Sequence, residues 1–440
     1  MPQKDDEMKQ RQERRRQQQA RRAAERKRLK RMLILAVLVL GVCVVGLISL
    51  VGKKAPEKTE VQKPQKEPQT VVEETKPKSP VFADPITTIH IKAAGDLNVT
   101  NAVVDSGLSI SGYDFSGVFK DVSAILADAD LTVMNFEGNV CGEPYGSATS
   151  SAPMQLLTAL RGCGVDLLQM ANSTAINNGL NGLTTTLQAI RAAGIEPVGA
   201  YSSDAEFALS KGYTITEIQG IRVAFVAFTK GLGGRGMPAG NENLVNLLYE
   251  DYASEYKKVD KAKIEKILKN VANEDPDLTV ALVHWGSEFS EYSAESAGTQ
   301  NTIISLMKKH GVDVILGTHP HVVQPIVFDE AEGTLIAYSL GDFFGDGDRG
   351  ATNYSIILDI EITKDTSAGT TKVTDYSYTP IYTVKSSECV DKDHRVVRID
   401  KAIEAWAGNY LDKITDDCKA GMDKALTRIS ERIIMPEKKK

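Results

Sequence analysis

Side chains with metal-binding chemistry stand where six β-rich runs of this sequence end. The segments that follow the runs are GD at 95–96, NFEG at 135–138, ANST at 171–174, HWGSE at 284–288, GTHPH at 317–321 and GD at 341–342. In layered α/β folds the carboxyl ends of parallel strands collect at one edge, where ligands bind. This recurrence favours a fold in which the six ends meet, and it predicts a polar site at that edge.

Short β-rich runs alternate with helical patterns from about residue 87, which is typical of an α/β layered domain. The predicted strands are 88–94, 131–136, 167–170, 222–228, 278–283, 312–316, 334–338, 354–362 and 371–384. The predicted helices are 151–163, 182–193, 259–272 and 298–310, with helical periodicity over 400–434. With 42% hydrophobic and 25% charged residues, the chain is expected to bury a packed core.

Three of the six histidines, His284, His319 and His321, fall at these strand ends. The proline between the last two fixes its own backbone φ and is expected to hold the two imidazoles in a defined orientation. Imidazole nitrogen together with carboxylate oxygen suits zinc, iron, manganese or a two-metal centre. For the other three histidines we keep the interpretation of hydrogen-bonded structural residues.

An apolar run without any charge covers residues 32–51, long enough to span the roughly 30 Å hydrocarbon core of a bilayer as a helix. The alternative is a cleaved signal peptide. A signal peptide usually has a shorter apolar run, a shorter basic segment and an A-x-A-like cleavage site. In this sequence both segments are longer, and no such site follows the apolar run. Residues 1–31 hold 13 Lys and Arg against 5 Asp and Glu, and such a segment stays in the cytoplasm. The sequence thus predicts a single-pass membrane anchor with the main domain extracellular.

Composition divides the rest of the chain. Residues 52–85 carry six prolines among Lys, Glu, Gln and Thr, which predicts an extended spacer. We therefore expect a basic cytoplasmic tail (1–31), a transmembrane helix (32–51), a Pro-rich extracellular linker (52–85), a main domain (86–385) and a C-terminal helical extension (386–440). Since the net charge of −6 includes the basic tail, the body is strongly acidic, which argues against nucleic acid as a partner.

Four of the five cysteines lie outside the apolar run, namely Cys141, Cys163, Cys389 and Cys418. Proximity in sequence favours the disulfide pairs 141–163 and 389–418. Buried free thiols are equally compatible with the pattern, because cysteine is among the most often buried residues.

Seven stretches resemble the CapA family of poly-γ-glutamate capsule proteins, a branch of the calcineurin-like metallophosphoesterase superfamily. They are GDLNVT at 95–100, NFEGNV at 135–140, ANSTAINNGL at 171–180, AAGIEPVGA at 192–200, HWGSEF at 284–289, GTHPHVVQP at 317–325 and YSLGDFF at 338–344. The resemblance covers roughly residues 88–350. It implies that the main domain is a four-layer α-β-β-α sandwich of metallophosphoesterase type with a metal centre at one edge.

The resemblance also implies roles for individual residues. Metal-ligand positions are held by Asp96, Glu137, Ser173, His284, His319 and His321, with Glu137 as the bridging carboxylate. We assign substrate binding to Asn98, Asn172, Glu288 and Asp342. The expected cofactor is a divalent transition metal (Mn, Fe or Zn) as one ion or two, although a degraded site without metal is also compatible with the sequence.

The chain departs from the family pattern at the third strand end. The family usually has Ala-Asn-Asn-His with an Asp three residues on, where this chain has Ser173, Thr174 and Asn177. Thr174 replaces a histidine that would act as general acid, and a hydroxyl without a pKa near neutrality cannot donate a proton in that way. Asp342 stands where the family commonly has Asn, and Asn98 where related phosphatases have a histidine. The catalytic residues are therefore unassigned.

Two functional hypotheses follow. The first is a membrane-anchored component of capsule or surface-polymer synthesis or export, of poly-γ-glutamate type, which binds an anionic polymer at a divergent metal site without hydrolysing it. A membrane synthase complex is its expected partner. The second is an active extracellular hydrolase, a phosphoesterase or amidase acting on a surface polymer. Ser173 and Thr174, which stand where the family usually has Asn and His, favour the first hypothesis. A wall-spanning structural protein would explain the anchor and spacer but not the polar edge.

Overall fold

The computed structural model describes residues 85–291, 297–389, 394–407 and 414–435. The predicted tail, transmembrane helix and Pro-rich linker lie outside these residues, apart from the last residue of the linker. Among the described residues, no helix combines the length and the apolar character that crossing a bilayer requires.

Strands and helices alternate along the described chain. The strands are β1 Ile86–Asn98, β2 Leu108–Ser109, β3 Gly112–Tyr113, β4 Leu131–Glu137, β5 Leu167–Gln169, β6 Glu196–Val198, β7 Tyr213–Ile218, β8 Ile221–Thr229, β9 Leu278–His284, β10 Val314–Thr318, β11 Ile326–Asp329, β12 Thr334–Ala337, β13 Asp342–Phe344, β14 Tyr354–Asp365, β15 Thr370–Val384 and β16 Arg395–Arg398. The helices are α1 Asn101–Ser106, α2 Lys120–Ala127, α3 Met154–Gly162, α4 Gly179–Ala192, α5 Asp204–Ser210, α6 Lys261–Ala272, α7 Ala297–Lys309, α8 Ile399–Ala407 and α9 Asp416–Arg432. The predicted mixed α/β fold is confirmed, and the predicted elements occur with small shifts at their ends. The prediction did not include the strands β2, β3, β6, β7, β11, β13 and β16 or the helices α1, α2 and α5.

The strands form two mixed sheets. The larger has the order β16-β15-β14-β1-β4-β5-β6, and β13 pairs with the end of β1. Its strands β1, β4, β5, β6 and β13 run parallel, whereas β14 to β16 are antiparallel to their neighbours. The second sheet has the order β11-β12-β10-β9-β8-β7, in which β8, β9, β10 and β12 run parallel. The parallel strands therefore end at a common edge in each sheet.

Alternate residues of the second sheet pack in two different cores. Phe225 and Leu282 belong to the core shared with the larger sheet, whereas Val226 and Val283 pack with α6 and α7. A parallel sheet covered on both faces needs apolar side chains at nearly every position, and all seven residues of β9 are buried. The two sheets thus lie face to face, and α6 and α7 cover the outer face of the second.

Residues 386–440, predicted as a helical extension, also contribute a strand. β16 pairs with β15 and so adds an edge strand to the larger sheet. Its valines are buried, and α8 and α9 contribute Ile399, Met422 and Ile429 to the shared core. The prediction was incomplete here because a four-residue strand is too short to show a period-2 pattern.

The four cysteines of the body are free thiols in the structure. Cys141 is half-buried beside the hydroxyl of Ser151, and the other three are buried. Burial raises the pKa of Cys163 to about 11 and that of Cys418 to about 12, so both stay protonated and unreactive at neutral pH.

A close backbone approach fixes the end of β1. A Cβ atom at Gly95 would lie 1.8 Å from the carbonyl oxygen of Gly341, and the N–H of Asp96 donates to that same oxygen at 2.9 Å. Only glycine permits this contact. The contact places β13 beside β1, so that Asp96 and Asp342 are neighbours across the sheet.

Candidate metal centre

The two sheets bring the predicted metal ligands together at their common edge. Asp96 lies near the end of β1, Glu137 ends β4 and His284 ends β9, while His319 and His321 follow β10. All five side chains are buried. Their ligand atoms form overlapping groups within 4.8 Å of one another.

Glu137 lies between the histidines of the second sheet. Its Oε1 atom is 3.5 Å from Nε2 of His284, and its Oε2 atom is 3.8 Å from Nε2 of His321. The hydroxyl of Ser173 donates a hydrogen bond to Oε1. Burial raises the pKa of the Glu137 carboxyl, but His284, followed by His321 and His319, outweighs burial and holds that pKa well below its usual range. The side chain is therefore an anion at neutral pH.

The His-Pro-His segment has a strained backbone at both histidines. Their φ angles are +91° for His319 and +60° for His321, in a region that side-chain-bearing residues rarely adopt. The N–H of His319 donates to Oδ2 of Asp96 at 3.1 Å. The two rings lie 6.0 Å apart at 53°. Strain of this kind persists only where the surroundings impose it, and it is common at functional sites.

Asp342 lies behind the ring of His321. Its Oδ1 atom is 2.7 Å from Nδ1 of His321, and both side chains are buried. Burial lowers the pKa of His321, but the Asp342 carboxylate outweighs it and keeps the pKa well above its usual value. A carboxylate in this place fixes the ring direction and the tautomer of a metal-binding histidine. Asp342, predicted to bind substrate, thus directs Nε2 of His321 toward Glu137.

Three buried ligand atoms of this cluster have no hydrogen-bond partner among the described residues. They are Oε2 of Glu137, Nε2 of His284 and Nδ1 of His319. Leaving such atoms unsatisfied costs about 1–3 kcal/mol each, and a bound cation would satisfy them. One carboxylate with several imidazoles is a donor set for manganese, iron or zinc. The residues fit a divalent transition metal at two groups that share Glu137, one with His319 and His321 and the other with Asp96 and His284.

The third strand end is folded by its own side chains. Asn172 is buried; its amide donates to the carbonyl of Phe136 at 2.7 Å, and its Oδ1 accepts from the N–H and the hydroxyl of Thr174. Asn177 donates to the hydroxyl of Ser150 at 3.0 Å. Asn172, predicted to bind substrate, and Thr174, at the family's usual histidine position, therefore hold the loop in shape, whereas Ser173 turns toward Glu137.

The two other predicted substrate residues lie at the rim of the cluster. Asn98 is half-buried and lies near Asp342. A Cβ atom placed on Gly345 would be 3.7 Å from the Cβ of Asn98 and 3.2 Å from Oδ2 of Asp342. Glu288 is exposed. Burial lowers the pKa of Lys230, and the negative charge of Glu288 offsets part of that effect. Both predictions therefore fall next to the centre rather than in it.

Lys230 is the site-edge residue that the sequence argument missed. It follows β8 directly, its N–H donates to the carbonyl of His284 at 2.8 Å, and its Nζ donates to the carbonyl of Gly286 at 2.6 Å. The signal was present, because the predicted strand 222–228 also ends at this edge. The sequence argument considered only side chains that bind metals, and lysine was not among them.

Comparison with known proteins identifies a family for most of this region. Residues 90–346 match the family described as "Bacterial capsule synthesis protein PGA_cap". "Capsule biosynthesis protein CapA" of Bacillus anthracis is 29% identical over 284 residues, which cover 63% of this chain and 64% of that protein. "PGA biosynthesis protein CapA" of Bacillus subtilis (strain 168) is 27% identical over 296 residues, 66% of this chain and 71% of that protein. The match thus spans slightly less than two thirds of the first relative.

Comparison with solved structures gives matches of low sequence identity, among them the following two. The calcineurin-like phosphoesterase YfkN from Bacillus subtilis has a TM-score of 0.43 and 16% identity, covering 79% of this chain and 99% of that one. A phosphatase from Mycoplasma pneumoniae has a TM-score of 0.41 and 14% identity, covering 68% and 94%.

We expect metal binding to decline in a graded series of variants. Replacing both His319 and His321 by Ala removes two imidazole ligands and should abolish binding of Mn²⁺. Asp342→Ala leaves every ligand in place but lets His321 rotate, so the affinity should fall about 10–100-fold. Calorimetric titration with Mn²⁺ and metal analysis after dialysis measure both effects. His90→Ala is the matched control, since His90 pairs with Asp359 away from the cluster. Full metal content in the double variant would contradict the ligand assignment.

Proposed function

The chain belongs to the PGA_cap family of bacterial capsule synthesis proteins, and from that premise we propose that it is a membrane-anchored, extracellular component of capsule or surface-polymer synthesis or export. We propose an anionic polymer of the poly-γ-glutamate type as its ligand. The observation that carries this proposal is the buried edge at which Glu137 meets three imidazoles, where Glu137, His284 and His319 each have a ligand atom without a hydrogen-bond partner among the described residues.

The chain's own residues account for a binding role at this edge. When bound, a divalent cation supplies positive charge to carboxylate or phosphate oxygens. Glu137 would hold it, together with the side chains grouped around this carboxylate, namely Asp96, His284, His319 and His321. All five are buried, and Glu137, His284 and His321 are hydrogen-bonded to Ser173, Thr318 and Asp342, respectively. The edge is therefore largely ordered before a ligand arrives, which lowers the entropic cost of binding.

The third strand end supports binding rather than hydrolysis. The hydroxyl of Thr174 is engaged with Asn172, and that of Ser173 with Glu137. Neither side chain has a pKa that would let it protonate a leaving group near neutral pH. We therefore propose that the polymer is bound at this edge without being cleaved.

The alternative is an active extracellular metal-dependent hydrolase, a phosphoesterase or an amidase. The observation in its favour is that the imidazoles of His284, His319 and His321 and the carboxylate of Glu137 all reach the same edge. A metal centre of this kind can also activate water.

The proposed location rests on the sequence of residues 1–85. The basic tail and the apolar run at 32–51 support a single-pass anchor with a cytoplasmic N-terminus. The Pro-rich segment at 52–85 supports an extracellular spacer, which would hold the domain away from the lipid surface. A membrane-bound polymer synthase is the partner we propose, because it would release the polymer on the same side.

Binding of the polymer should depend on the metal and leave the polymer intact. We expect the full chain, purified in detergent with Mn²⁺, to retain poly-γ-glutamate, and to lose it when a chelator removes the ion. Polymer length, followed by size-exclusion chromatography, should not change. Equal retention with and without metal would refute the metal-centred binding role, and shortening of the polymer would favour the hydrolase.

Restoring the family's residues at the third strand end should create hydrolysis. Ser173→Asn supplies a neutral oxygen ligand, and Thr174→His supplies a general acid, which is typically worth about 10²–10⁴-fold. We expect the double variant to cleave a generic phosphodiester faster than the parent chain. Thr174→Ser is the matched control and should not gain activity. A double variant that binds metal yet stays inert would rule out the phosphoesterase alternative and leave amide cleavage or polymer binding.

The predicted topology gives a protection pattern. Protease added to intact cells after removal of the wall should digest the main domain and spare residues 1–31, because the lipid bilayer shields the tail. Antibodies against both ends measure the fragments, and permeabilised cells serve as the control in which the tail is also lost. A mature protein that starts beyond residue 51 would instead establish a cleaved signal peptide.

A further inference from the structure

We propose that Lys230 and Arg235 form an oxyanion subsite beside the metal centre, which takes carboxylate or phosphate groups of the polymer. This inference rests on the proposed function, since it names the groups that would hold the polymer next to the metal. Both residues belong to the segment KGLGGRG at 230–236, which follows β8 directly.

Lys230 fixes one end of this segment against the histidine side of the centre. Its N–H bonds to the carbonyl of His284 at 2.8 Å, and its ammonium bonds to the carbonyl of Gly286 at 2.6 Å. The ammonium also lies 4.5 Å from the centroid of the Tyr256 ring. These contacts hold the cation beside the segment 284–286, which begins with the ligand His284.

Arg235 lies near Ser173, at the third strand end. A Cβ at Gly233 would be 3.1 Å from a terminal nitrogen of Arg235 and 3.1 Å from the carbonyl oxygen of Ser173. Gly233 has a φ of +61°, so a side chain there would be strained as well as crowded. Glycine thus lets the loop lie against Ser173, whose hydroxyl donates to Glu137, and brings the guanidinium within reach of the same edge.

Neither cation is neutralised by an ion pair with a described carboxylate. Lys230 is half-buried, and the carboxylate of Glu288, which is exposed, forms no ion pair with its ammonium. A partly desolvated cation without a counter-ion attracts an anion, and the guanidinium can bind carboxylate or phosphate through two parallel hydrogen bonds. The overall charge of −6 conceals this local pair of positive charges.

The test compares affinities of the Mn²⁺-loaded full chain in detergent for three probes. They are poly-γ-glutamate, poly(glycerol phosphate) and inorganic phosphate, titrated calorimetrically at low and high salt. Lys230→Gln and Arg235→Gln should each weaken binding of the preferred polymer about 10-fold or more, because each removes a charge-assisted hydrogen bond. The preferred polymer shows whether the oxyanion is a carboxylate or a phosphate. High salt should reduce the effect, since it screens exposed charges.

Lys309→Gln is the matched control, because α7 ends at Lys309 shortly before β10 begins, at the opposite edge of the second sheet. Arg235 is exposed, so its variant keeps the test valid if Lys230→Gln fails to fold. Unchanged affinity in Arg235→Gln, with binding by the parent chain, would refute the subsite and leave the proposed function standing. If the parent chain binds inorganic phosphate but neither polymer, and the two variants weaken that binding, the result would support the subsite and count against the polymer role. Failure of the metal-loaded parent to bind any probe would overturn both.

Discussion

The contact between carboxylates of one sheet and imidazoles of the other is the interaction on which this site depends. Asp96 and Glu137 end strands of the larger sheet, and His284 and His319 come from the second. Asp96 accepts the backbone N–H of His319, while Glu137 lies 3.5 Å from His284. Buried charges need partners of this kind, and the pairing joins the two sheets at the edge where their parallel strands end.

Close packing behind the edge makes that contact possible. Gly95 lets β13 approach β1, and a Cβ at Gly317 would lie 1.9 Å from the carbonyl oxygen of Tyr338. Both glycines therefore permit backbone approaches that any side chain would block. The apolar residues between the sheets leave little space, so a ligand side chain at a strand end has few alternative positions. The rigidity of the centre follows from this packing.

The polar residues around the edge divide into those that support the ligands or their loop and those that have no carboxylate partner among the described residues. Asn172 and Asp342 belong to the first group, because their polar atoms bond to the loop or to His321. Lys230 and Arg235 belong to the second, since neither has a carboxylate partner among the described residues. The second group is the basis of the oxyanion subsite that we propose beside the metal centre.

The sequence by itself determined most of the longer strands, their alternation with helices and the residue types at the strand ends, because local hydrophobic period and local composition carry that information. It could not assign Asp342 to His321 or place Arg235 beside Ser173. Those contacts join residues that are 21 and 62 positions apart, and they depend on the pairing of β13 with β1 and on the course of the loop after β8. Sheet register and the packing of two sheets are set by many side chains that are distant in sequence. Only the tertiary structure therefore decided which polar groups lie in the metal centre, which ones hold its ligands in place and which ones lie at its border.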